Sequence, residues 1–182
     1  MRINKTGLLA TAVLMTVAGF VGGSHPAMAA GDSVTINITG RVKDVTCTLN
    51  DIAAPILPEI SAADFGGTAG IEVGSVSIPV TFSNCGGDTS KIAVKVSGTN
   101  DDDDKTGLVF KSTGDATGVG VVLYDTDGLK FKTDGTSNGV KIPVDKTGHT
   151  ASTTYTAKYI STKDEVKSGA VSTVVTFEFT YT

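Results

Sequence analysis

From Val171 to Tyr181 the chain alternates with a period of two. Val171, Thr173, Val175, Phe177, Phe179 and Tyr181 share one parity, and Ser172, Thr176, Glu178 and Thr180 share the other, with Val174 the exception. Successive side chains of a strand point to opposite faces, so this pattern reads as a half-buried β-strand. It runs to the end of the sequence, and the expectation is that no later strand pairs with it. An apolar strand with an unpaired edge invites association or aggregation. The other end of the chain offers a strand in excess. Over Asp32–Val42, Val34, Ile36, Ile38 and Val42 alternate with Thr35, Asn37 and Arg41. A deficit at one end and a surplus at the other constrain the fold more than any single motif does.

The intervening sequence repeats the same period. Val76, Ile78, Val80 and Phe82 mark one face of a strand over Ser75–Asn84, and Ile92, Val94 and Val96 mark another over Lys91–Val96. Val119–Tyr124 and Leu129–Lys132 flank Asp125-Thr126-Asp127-Gly128, a hairpin signal. Asp134-Gly135 and Asn138-Gly139 are turn signals ahead of a strand over Val140–Val144, and Thr153–Ser161 precedes the last strand. Helical periodicity is weak, and one short helical turn is expected near Ser61–Asp64. Many short strands separated by turns predict an all-β sandwich, with no linker or repeat to divide it.

Arg2 and Lys5 precede an apolar run, Leu8–Val21, and then Ala27-Met28-Ala29. A basic start, a short apolar stretch and small residues before a cut define an export signal, placed here at 1–29 with cleavage after Ala29 and Ala30 as the runner-up. The run is shorter than the roughly 20 apolar residues of a membrane span. Loss of Arg2 and Lys5 takes the formal net charge from −4 to −6. An acidic chain excludes a nucleic-acid partner on charge. Both cysteines, Cys47 and Cys85, follow the cut. An even count in an oxidising compartment predicts a disulfide, and the one His beyond the cut, His149, sits in a Gly/Thr turn that gives a catalytic cysteine no base.

In this order and spacing the features resemble a pilin subunit of the chaperone–usher pathway, as in type 1 and P fimbriae. The resemblance rests on the alternating segment after the signal, on Cys47 shortly behind it, and on Ile78-Pro79-Val80-Thr81-Phe82-Ser83-Asn84-Cys85. Tyr181 in the penultimate position and Gly169, fourteenth from the end, complete it. The resemblance implies an incomplete immunoglobulin-like sandwich lacking its last strand. It divides the chain into an N-terminal donor-strand extension, 30–41, and a pilin domain, 42–182. Val34, Ile36, Ile38, Gly40 and Val42 would enter a neighbour's groove, with Gly40 where no side chain fits. Gly169, Val171, Val175, Phe177, Phe179 and Tyr181 would form this subunit's own groove. A periplasmic chaperone would fill that groove first, with its basic cleft on the Thr182 carboxylate. At an outer-membrane usher the next subunit's strand would replace it, a form of β-strand addition. The product would be a linear surface polymer supporting adhesion.

Other signals point nowhere as clearly. Asp101–Asp104 with Lys105 lacks the calcium-loop spacing and reads as a solvated loop tip. It also spells an enteropeptidase site, which predicts a nick there. Asp125 with Asp127 is turn chemistry, and Asn37-Ile38-Thr39 reads as strand alternation. No catalytic constellation, cofactor motif or metal-ligand set stands out, so an enzyme is not expected. A single-domain adhesin for a host glycan or protein is the alternative, with the loop around Asn100–Lys105 as its natural surface. A secreted β-sandwich enzyme is the third reading, disfavoured by the scarcity of His and free Cys.

Overall fold

The computed structural model describes residue 39, residues 46–136 and residues 138–182. Every element described below lies within Arg41–Thr182. In chain order these are β1 (Thr48–Leu49), a single 3-10 turn (Ala62–Phe65), β2 (Glu72–Ser83), β3 (Lys91–Gly98), β4 (Phe110–Lys111), β5 (Val119–Tyr124), β6 (Lys141–Pro143), β7 (Ala151–Ser161) and β8 (Val175–Tyr181). Two sheets, ordered β1-β2-β7-β5-β4 and β6-β3-β8, form through antiparallel pairings throughout. The fold is the all-β sandwich that the alternation predicts.

Inward parity builds the core. Ile78, Val80 and Phe82 of β2 and Ile92, Val94 and Val96 of β3 are buried, as their spacing requires. Tyr155 stands between the sheets, stacked on Phe177 at 5.5 Å and edge-on to Phe131 at 5.3 Å. Phe82 meets Phe179 edge-on at 5.1 Å. Cys47 and Cys85 are disulfide-bonded, joining the approach to β1 to the exit of β2. The 3-10 turn lies one residue beyond its expected place because Ser61 is spent as its cap. The Ser61 hydroxyl accepts from Ala63 N–H, Asp64 returns the bond to Ser61 N–H, and Gly66 closes the turn with φ of 63°.

Two expected strands differ from their sequence reading. Leu129–Lys132 is no ladder strand: the turn at Asp125–Gly128 forms, but the return arm makes one isolated bridge, Lys130 to Tyr124. Phe131 then dives into the core, and Asp134 bridges to Ser97 of the other sheet, so the arm crosses between layers. Glu72 steadies it from β2, accepting from Lys130 at 2.7 Å and from the Tyr124 hydroxyl at 2.6 Å. The last strand begins at Val175 rather than Val171. Residues 170–173 pair instead with the run after β4: Thr113 N–H donates to Ser172 O at 2.7 Å and Ala116 N–H to Ala170 O at 3.0 Å. That contact has no room for side chains. A Cβ on Gly114 would lie 2.0 Å from Ala170 O, and one on Gly169 would lie 2.5 Å from Ala116 N.

Candidate functional site: an open groove beside the last strand

β8 borders β3 on one side and no described strand on the other. Which backbone groups face the open side follows from the register. Thr182 and Lys91 exchange both N–H···O bonds, at 2.9 Å each. In an antiparallel ladder such pairs alternate with pairs whose backbone groups point outward. Tyr181, Phe179, Phe177 and Val175, opposite Ile92, Val94, Val96 and Gly98, are therefore the outward ones. The residues whose side chains turn toward the core also present their N–H and C=O groups to the open edge.

Beside that edge lies an apolar groove of about 570 Å³. One wall is Val171, Thr173, Val175 and Phe177; the other is the run 52–57 that follows β1. The floor is the inner face of the larger sheet, Val76, Ile78, Val121, Leu123, Ala157 and Tyr159. Tyr159 and Val171 also line an adjoining cavity of about 370 Å³, with Phe65, Ala116, Val119 and Gly169. Val171, Val175, Phe177, Phe179 and Tyr181 are all half-buried against the main core, so each is covered on one side only.

The residues singled out in the sequence fall in three places. Val171, Val175 and Phe177 line the groove and Gly169 the adjoining cavity, while Phe179 and Tyr181 pack on Phe82 further along the same strand. One Thr182 oxygen accepts from the N–H groups of Ser90 and Lys91, at 2.8 and 2.9 Å. Val34, Ile36, Ile38, Gly40 and Val42 lie outside the described residues. Sequence reasoning missed the floor on β5 and β7 as part of the site. The parity of Val121 and Leu123 was available as a signal. It missed the opposite wall altogether, because 52–57 carries no strand period.

The acidic run is solvated only in part: Asp102, Asp103 and Lys105 are exposed, as a loop tip predicts, while Asp101 and Asp104 are held by the fold. Asp101 is buried at 9% exposure. Asp104 accepts four bonds, from Thr106 N–H and Oγ1, Leu108 N–H and Val109 N–H, at 2.6–2.9 Å. Burial pushes its carboxyl up, but the bonds from Thr106, Val109 and Leu108 outweigh this and hold its pKa below the usual carboxylate value. A depressed folded-state value means that this contribution is complete above the ordinary carboxylate pKa and is lost as pH falls through the lowered one. Asp102 pairs with Lys111, and Asp103 with Lys163 at 3.1 Å. Among the described residues, no cluster of three or more His, Cys, Asp or Glu is arranged to hold a metal ion.

This geometry reverses the expected nick. A protease reads an extended segment, and Asp101–Lys105 is folded back on itself. Enteropeptidase should leave the folded chain intact while cutting a free peptide of residues 99–107. Cleavage of both at similar rates, followed by gel and mass spectrometry, would show the loop to be open.

The fold and the half-covered strand together define an incomplete immunoglobulin-like sandwich of the pilin type. Two solved structures share it. The P pilus rod subunit PapA superposes with a TM-score of 0.63 at 16% identity, over 76% of this chain and 100% of that one. The antigen and type I fimbria protein BPSL1626 of Burkholderia pseudomallei superposes with a TM-score of 0.53 at 24% identity, over 76% and 91%. No curated protein matches the chain. The Fimbrial protein family model matches residues 36–182, and the chain belongs to that family. It is a structural subunit of a surface fimbria, a type of protein that works by joining other pilin subunits.

Proposed function

We propose that this subunit polymerises by donor-strand exchange. Val34, Ile36, Ile38, Gly40 and Val42 of one copy enter the groove beside β8 of the next, between Val171, Val175 and Phe177 on one side and 52–57 on the other. The observation that carries this reading is the open edge of β8. Its outward backbone groups belong to the same residues that leave apolar side chains half-covered, and an inserted alternating strand satisfies both at once. Before assembly a periplasmic chaperone supplies the strand, with its basic cleft on the Thr182 carboxylate, and an outer-membrane usher hosts the exchange. Export through the periplasm follows from the signal segment.

The test is a double substitution, Ile36→Asp with Ile38→Asp, in the mature full-length chain. Each places a carboxylate in an apolar groove, where an unpaired charge is strongly disfavoured. Concentration-dependent oligomers, followed by size exclusion with light scattering, should disappear. Oligomers that persist unchanged would remove the extension from the assembly mechanism.

A further inference from the structure

The wall opposite β8 is built in an unusual way. Asn50 anchors its start, donating N–H to Thr81 O and Nδ2 to Thr81 Oγ1, each at 3.0 Å. The Ser61 cap fixes its end. Between them, among the described residues, no hydrogen bond reaches or leaves the backbone of residues 51–60. Pro55 and Pro58 have no N–H to give. The run is held by side chains alone: Ile52 and Leu57 pack on the main core and Ile60 on the cluster around Phe65. Pro58 sits close enough to Gly74 that a Cβ there would lie 3.2 Å from it. The strap thus spans the groove tethered at both ends, free of any ladder.

Ile56 stands at its middle. It lines the groove yet is 86% exposed, the highest value among the exposed large apolar side chains described. Singly exposed apolar residues are ordinary, but this one borders a continuous apolar groove. A strap without backbone bonds can shift toward an occupant without breaking any. An occupant with alternating apolar side chains gives Ile56 a surface to cover.

We infer that residues 51–60 are a clamp that closes on the inserted strand, with Ile56 as its latch. The occupant is the Val34–Val42 segment of a second copy, so the inference rests on the proposed strand exchange. The clamp sets how long the strand stays, and the β8 edge sets whether it binds.

The experiment uses oligomers of the mature full-length chain carrying Ile56→Asp, Ile56→Ala or Ile56→Leu, with release followed after dilution. Covering one isoleucine predicts about 10- to 100-fold faster release for the aspartate variant. The alanine variant should fall between, and the leucine variant should keep the original rate. Monomer melting should not move, since Ile56 is exposed there. Hydrogen exchange should show new protection at the Ala54, Ile56 and Leu57 amides in the oligomer. If the Phe177 and Phe179 amides gain protection while the strap and the release rate stay unchanged, the clamp is wrong and strand exchange stands. If neither edge gains protection, both fail.

Discussion

A truncated chain of residues 43–182 should melt at low temperature or aggregate, and a peptide of residues 30–42 added in trans should rescue it. The truncation removes the one spare alternating strand and leaves the groove beside β8 open. The half-covered Val171, Val175 and Phe177, together with the outward backbone groups of β8, then face water. Burying Val34, Ile36, Ile38 and Val42 of the peptide contributes roughly 6–12 kcal/mol before the cost of ordering it, at about 1.5–3 kcal/mol per side chain. Fixing the backbone opposes this by about 1–2 kcal/mol for each residue ordered, and new ladder bonds add to it. Even a net gain of about 3 kcal/mol would raise the melting temperature by roughly 6–12 °C for a domain of this size. A scrambled peptide of equal composition should give no rise, because the period of two aligns apolar side chains with the groove. A truncated chain that is already stable and ignores the peptide would show a self-contained sandwich.

Alternation made the strands legible, and the reasons for its failures are tertiary. The period of two shows directly in Ile78–Phe82 of β2 and Ile92–Val96 of β3, whereas β5 is buried on both faces and was legible from the apolar run Val119–Tyr124 ahead of its turn. The disulfide was readable because compartment and cysteine count left one pairing. The hairpin's return arm was misread because Leu129–Lys132 has the composition of a strand. Phe131 has a better place beside Tyr155 than in the ladder. Val171 keeps the parity of β8 but not its pairing, because Gly114 and Gly169 let two backbones touch there. Nothing local announces that contact. The acidic run is solvated at Asp102 and Asp103 as read, but sequence counts charges and cannot see Asp104 collecting four donors. The strap is the clearest gap: Ala53-Ala54-Pro55-Ile56 has neither helical nor strand period, and its role as a wall comes only from what lies across the groove.

Replacing both cysteines, Cys47→Ala with Cys85→Ala, should cost about 4 kcal/mol, the loop-closure value for their separation of 38 residues. Alanine suits the test because both positions are buried, and serine would add a hydroxyl needing a partner. The melting temperature should fall by roughly 8–16 °C. The loss should not spread evenly. Cys85 is held independently, its N–H donating to His149 O at 3.0 Å and its carbonyl lying 2.8 Å from His149 Nδ1. Among the described residues, the backbone next to Cys47 is held by β1, two residues paired with Ser83 and Phe82. Beyond Asn50, among the described residues, the strap makes no backbone bonds until Ser61. The bridge is therefore the covalent anchor of the groove's second wall. Without it, limited proteolysis should cut first within residues 46–60, before any site in β2 or β7. Uptake of the 30–42 peptide should weaken by more than the lost global stability explains, since one wall would have to be ordered on binding. Even loss of protection across the whole domain, with unchanged peptide affinity, would mean that Asn50 and the packing of Ile52, Leu57 and Ile60 hold the wall unaided.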